Sequence, residues 1–470
     1  MKRLVFIALA GLSGSIMAQS ISPELLNKYS DRLKDDQSFK ALENAITGHD
    51  LKKLALNRAN AGTHDHEFKY RVDVSGITDQ KSSGRCWMFT SLNILRPKVM
   101  EKYNLSSFEF STNYLYFYDI LEKSNLFMEQ IIATRNLKMN EDVGPYLADA
   151  GKKENGQTVS WLFKSPIGDG GVWNNFVNLV DKYGAMPKSV MPETYHSEKT
   201  RTLNKLLNRK LRENGLALRD IKNEKKAREA KEVMLADIYK VLVLTLGEPP
   251  RTFSWRYKDK DGNLSEAKEY TPQSFFKEAV GVNLNDYVML MNDPSRPYNK
   301  LYEISYDRNV MEGRNWRYIN LPADKIKEVA IASIKANEAM YASCDVGKQL
   351  NSDEGLCAID NYQYGELLGI TFGMDKKQRV ITRESGSSHG MALIAVDVNK
   401  DEKPVMWQFE NSWGTKSGHD GYLSFTDEWF DEFMFRLVPQ KKFIDPEILK
   451  ILDTEATILP PWDPMFNADE

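Results

Sequence analysis

The chain has 470 residues, of which 41% are hydrophobic and 11% aromatic, and a net charge of −3. That is enough apolar material for a substantial core, either as two or three domains or as one large core with insertions. The near-neutral charge argues against a nucleic-acid or lipid surface for the whole chain, and past the first residues no window holds the ~18 uninterrupted apolar residues of a membrane span.

In chain order, Met1-Lys-Arg supplies a positive start, Leu4 to Leu12 an apolar stretch, and Ser15-Ile-Met-Ala18 a cleavage site. This pattern reads as an export signal over residues 1–18, which makes the expected product periplasmic or secreted. No cysteine follows the apolar run, so a lipid anchor is not indicated. Ser22-Pro-Glu-Leu-Leu starts a helix with a capping serine and a proline in its first turn. Residues 20 to about 60 read as helical, and Lys69-Tyr-Arg-Val-Asp-Val as an extended lead-in. Helix dominates from Cys86 to about Met139. A first segment runs from Cys86 to Met100, with Pro97 placed to end or kink it, and a second from Ser111 to Lys123.

Two more helices are expected from about Ser197 to Leu246. Lys199, Arg201, Lys205, Arg209, Lys210 and Arg212 give the first a basic face, and Leu203, Leu206, Leu207 and Leu211 an apolar stripe, with Gly215 as its stop. The basic face reads as a solvated cover over a core stripe, because acidic residues follow in the second helix. Ala392 to Val398, Val405 to Glu410, Gly421 to Phe425 and Phe433 to Val438 read as strands. The last segment, from Leu459, has three prolines in six residues and is expected as an extended arm.

Chemistry concentrates at three places. Gln80-Lys-Ser-Ser-Gly-Arg-Cys86-Trp puts a cysteine at a helix start, where unpaired N–H groups and the helix dipole favour a thiolate. The Gln80 side-chain amide and the Cys86 N–H can both donate to an oxyanion. His389 stands at the mouth of one strand and can take the thiol proton; Asn411 closes another and can hold the imidazole, with Trp413 shielding that bond. Cys, His and Asn in this order are the parts of a papain-like site. His49, His64, His66, His196 and His419 read as satisfied core or surface residues.

With its flanking blocks the chain resembles the bleomycin hydrolase and aminopeptidase C family of papain-like cysteine peptidases. The blocks include Phe108-Glu-Phe-Ser-Thr-Asn-Tyr-Leu, Gly168-Asp-Gly-Gly-Val-Trp, Tyr183-Gly-Ala-Met-Pro-Lys-Ser-Val-Met-Pro-Glu193, Cys344-Asp-Val-Gly-Lys, Asp427-Glu-Trp-Phe-Asp and Trp462-Asp-Pro-Met. The resemblance implies an α+β, papain-like fold of two halves with helical insertions and an extended C-terminal arm. Cys86 and His389 lie 303 positions apart, about twice the ~130–150 of compact papain-like enzymes, so the excess is inserted chain. The expected organisation is 19–75 N-terminal helical, 76–196 helical half with Cys86, 197–320 inserted, 321–440 β-rich half with His389 and Asn411, and 441–470 arm.

The same resemblance implies a homohexamer with active sites facing a channel, peptide substrates, and no cofactor or metal. It also implies an arm lying in the cleft, with the Glu470 carboxylate facing the substrate's amino group. Phe466-Asn-Ala-Asp-Glu470 departs from relatives, which carry small residues at its first two positions, and Gly390 stands where they usually carry alanine. The function expected is a cysteine aminopeptidase; the alternatives are an endopeptidase with an undocked arm or a non-catalytic assembly protein. Three cysteines leave one unpaired in an oxidising compartment. Cys344 and Cys357 could pair, but Cys344 lies in a family block where cytosolic relatives also carry cysteine, so no disulfide is required.

Overall fold

A computed structural model describes residues 20–33, 37–146, 157–461 and 463. The expected signal, Trp462 and the arm's end from residue 464, including Phe466 and Glu470, lie outside the described residues. The chain divides into two compact units. The smaller comprises the chain up to Leu56 with residues Tyr362–Ile370. It contains helices Pro23–Asp31, Gln37–Thr47, Leu51–Ala55 and Tyr364–Leu368. Ser22 caps the first by accepting from the Leu25 N–H at 3.2 Å, as the Ser-Pro start predicts. The segments join where the Gln363 N–H donates to the Ala55 carbonyl at 2.8 Å.

The larger unit sets a group of helices against a mixed, mainly antiparallel sheet. The sheet counts twelve strands among the described residues. Strand Met340–Cys344 lies between Met434–Val438 and His389–Val398. From the last of these the sheet continues through Pro404–Glu410 to Tyr422–Thr426. On the far side Leu290–Met291 leads through Trp316–Asn320 and Lys300–Ile304 to Thr457–Leu459. His389 to Val396 are almost wholly buried, consistent with a strand covered on both faces.

The helical side is built on Thr112–Ala133, which packs against Arg201–Asp220 and Glu224–Leu246. It runs ten residues past the expected Lys123 because its buried apolar positions continue through Leu126, Phe127, Ile131 and Ile132. Two other expectations change. The segment from Cys86 to Met100 is two helices, Cys86–Asn93 and Arg96–Lys102, with Pro97 in the first turn of the second, where its missing N–H costs nothing. Gly215 does not stop its helix, which continues to Asp220. A Cβ there would come within 2.8 Å of the Phe163 ring and 3.0 Å of Phe127, so this glycine serves close helix packing. Leu203, Leu207 and Leu211 form the buried stripe with Leu218, whereas Leu206 faces solvent at 58% exposure.

Candidate active site

The Cys86 helix begins without a side-chain cap, since its N-cap residue is Arg85. Its first N–H groups are therefore not taken by a capping side chain, which leaves the positive end of the helix at the thiol. Cys86 is half-buried while Trp87 to Asn93 are buried. The turn before it is clamped from the Gly168-Asp-Gly-Gly171 segment. Asp169 Oδ2 accepts from the Gly84 N–H at 2.7 Å, and its backbone carbonyl accepts from Trp87 Nε1 at 2.8 Å. A Cβ on Gly84 would meet Asp169 Oδ1 at 2.6 Å, and one on Gly171 would meet the Trp87 ring at 2.6 Å. Both glycines let the backbone lie directly against a side chain, the Asp169 carboxylate at Gly84 and the Trp87 ring at Gly171. Beneath the turn, buried Arg85 meets Glu193 at 2.9 Å and sits over the rings of Phe89 and Tyr116.

His389 opens its strand opposite Cys344 and is buried. Its Nε2 lies 2.8 Å from Asn411 Oδ1. The same Oδ1 accepts from the Ser412 N–H at 2.8 Å. An atom that accepts a backbone N–H must be the amide oxygen, so Nε2 carries the proton and Nδ1 keeps the basic lone pair. The Trp413 ring covers this pair, 4.7 Å from the imidazole centroid to centroid. Burial pushes the imidazole down to about 4, and the bond to Asn411 pulls the other way. The residue before Asn411, Glu410, forms a buried ion pair with Arg96, whose Nη2 lies 2.9 Å from both carboxylate oxygens, and the Asn411 N–H donates to the Gly421 carbonyl at 3.1 Å.

Gln80 ties the two sides together. Its backbone N–H donates to the Ser412 carbonyl at 2.8 Å, and its Oε1 accepts from Ser412 Oγ at 2.6 Å. Its Nε2 donates to the Ser83 carbonyl at 2.6 Å, which commits one of two amide protons. Cys86 and His389 line one cavity of about 210 Å³, together with Gly170, Gly171, Tyr341 and Gly390. The structure thus brings Gln80, Cys86, His389, Asn411 and Trp413 into one place; Glu470 lies outside the described residues.

The charged part of the cavity lining was not anticipated. It carries Lys123, Asp307, Arg308 and Arg436, charged residues with no spacing pattern in the sequence. Cys344 and Cys357 are buried free thiols. His66 stacks on His419 at 3.9 Å with His64 edge-on at 4.7 Å, yet among the described residues no group of side chains could hold a metal. No helix among them is long and apolar enough to cross a membrane.

A thiol at a helix start, facing an Asn-held imidazole across a helix–sheet cleft, defines the architecture of a cysteine peptidase. Residues 20–466 match the Peptidase C1-like family model, and the chain belongs to that family. It is 40% identical to bleomycin hydrolase of Homo sapiens over 450 residues, covering 92% of this chain and 95% of that one. It is 38% identical to aminopeptidase C of Streptococcus thermophilus over 452 residues, covering 95% and 98%. The crystal structure of pepw from Lactobacillus rhamnosis hn001 superposes with a TM-score of 0.88 at 36% identity, covering 96% of this chain and 99% of that one. The chain is therefore a cysteine peptidase with the papain-like α+β fold.

Proposed function

We propose that this peptidase is a cysteine aminopeptidase that releases residues from the amino end of peptides. The observation that carries the chemistry is the His389–Asn411 bond at 2.8 Å, polarised so that Nδ1 is the base. The Cys86 proton passes to His389 Nδ1, and the thiolate attacks the scissile carbonyl. The oxyanion is met by the Cys86 N–H at the helix start and by the remaining Gln80 amide proton. His389 then protonates the leaving amine, and water, deprotonated by the same imidazole, hydrolyses the thioester. Asn411 keeps the ring oriented and Trp413 keeps water from their bond.

The amino-end preference is supported by the names of the relatives and by the root of the arm. Leu459 pairs in parallel with Ile304, and its carbonyl accepts from the Ser305 N–H at 3.0 Å. Asp463 is ion-paired to Arg296. Seven residues follow Asp463, which can span roughly 25 Å extended. On this reading the segment carries Glu470 into the cleft, where its carboxylate pairs with the α-ammonium. We further read the enzyme as exported, on the pattern of residues 1–18, and as a homohexamer built through the inserted helices; light scattering on the mature protein tests the latter.

Digestion of one peptide with a free and with an acetylated amino terminus, followed by mass spectrometry, tests the reading. Stepwise loss from the free peptide and an intact acetylated one is expected. Internal cuts in both would establish the endopeptidase alternative.

A further inference from the structure

The cavity that Cys86 and His389 line also carries a carboxylate with an unused acceptor atom. Asp307 is the one acidic residue lining that cavity among the described residues. Its Oδ2 is enclosed and receives no hydrogen bond from any protein donor. The nearby carboxylates are spent. Asp119 accepts from Lys123 at 2.7 Å and from Asn309 at 2.8 Å, and Asp169 accepts from Gly84 and Thr200. An enclosed acceptor left unmade costs about 1–3 kcal/mol, more when charged, so a cationic group that reaches it from the cavity gains a charge-assisted bond.

The backbone around Asp307 is held in place. Asn174 Nδ2 donates to the Asp307 carbonyl at 2.7 Å, and Asn309 Nδ2 donates to the Asn175 carbonyl at 3.2 Å. The side chain is thus presented by a clamped loop rather than a mobile one. The cationic neighbours do not satisfy it. Lys123 spends its protons on Asp119 and the carbonyls of Gly168 and Gly170, at 2.7–2.8 Å. The Arg436 guanidinium lies over the Trp316 ring at 4.0 Å. Burial pushes the Asp307 carboxyl up to about 6, while Arg436 and Lys123 pull it down, so it is mainly ionised at neutral pH.

The cavity's volume, about 210 Å³, is below the ~300–1,000 Å³ of an ordinary small-molecule pocket. It suits about one residue on the acyl side of the scissile bond. We propose that Asp307 is a specificity-determining residue that accepts the free α-ammonium of the bound peptide from inside the cavity, independently of the C-terminal arm. This rests on the aminopeptidase reading and adds a second acceptor to it, one built into the cleft wall.

Calorimetry on the Cys86→Ala enzyme, which binds without turnover, tests this with an amino-acid amide and its N-acetyl derivative. The free amine is expected to bind about 10–100-fold tighter, the usual worth of a charge-assisted contact. Adding Asp307→Asn should lower that preference by about tenfold, leaving the share that Glu470 holds, while Asp307→Glu should keep most of it. In the turnover-competent background the Asp307→Asn loss should fall on KM more than on kcat. An Asp307→Asn variant that still prefers the free amine in full would overturn the role of Asp307 and leave the aminopeptidase reading standing. Equal binding of the two ligands by the Cys86→Ala parent would overturn that reading and this inference with it.

Discussion

The wall that carries Cys86 and the wall that carries His389 are held in place by different means. On the helical side the constraint is local. Asp169 pins the turn before Cys86, two glycines let backbone pack directly on the Asp169 and Trp87 side chains, and a short helix follows. On the sheet side the constraint is long-range. His389 is placed by register opposite Cys344, and Asn411 by the end of a neighbouring strand over the buried Glu410–Arg96 pair. In the proposed mechanism the thiol draws its electrostatics from a helix end, and the imidazole its orientation from a packed sheet.

If that division is right, the largest loss comes from removing the group the helix exists to present. Cys86→Ala should lower kcat/KM by about 10⁵–10⁶-fold, as for loss of a nucleophile elsewhere. Steady-state kinetics with unchanged circular dichroism would check it. Next comes the support of the sheet wall. Arg96→Met leaves Glu410 buried without its cation, a change expected to cost about 3–5 kcal/mol of stability. Thermal unfolding reads that loss directly.

Smaller effects separate orienting from reacting. Asn411→Ala should cost about 10–100-fold in kcat, less than the ~10²–10⁴-fold expected for losing the base in His389→Ala. Equal losses in the two folded variants would show that Asn411 does more than orient. The smallest change is at Gly390, where a Cβ would meet the Tyr341 hydroxyl at 3.2 Å and the Trp87 Cα at 3.5 Å. Gly390→Ala should be absorbed by a slight turn of Tyr341, at less than about 1 kcal/mol in stability and with little change in rate.

The same division explains what could be read in advance. Gln80, Cys86, His389 and Asn411 were legible because one mechanism demands those residue types in that order, whatever lies between. The strands around His389 and Asn411 were legible from short apolar runs. The break before Pro97 was half legible, since proline marks a boundary without saying whether the chain kinks or restarts. Gly215 misled because a packing glycine and a stopping glycine look alike until the facing Phe163 and Phe127 are known. Arg436 and Asp307 carried no signal. Arg436 reaches the cavity through a register that sets Arg436 opposite Ser343 and Ser343 opposite Gly390, residues far apart in sequence.

The central claim, that Cys86 is activated by the Asn-held imidazole of His389, is tested most directly by the pH dependence of Cys86 alkylation. Burial, partly offset by the bond to Asn411, holds the His389 imidazole down to about 4. The thiolate raises that value and the imidazolium lowers the thiol's, so the ion pair exists across the window between the two apparent values. The wild-type enzyme should therefore be alkylated at Cys86 at about pH 5–6, well below the ~8.5 of an ordinary thiol, and His389→Ala should return the profile to that ordinary value. Identical profiles for the two proteins, both rising near 8.5, would contradict the account.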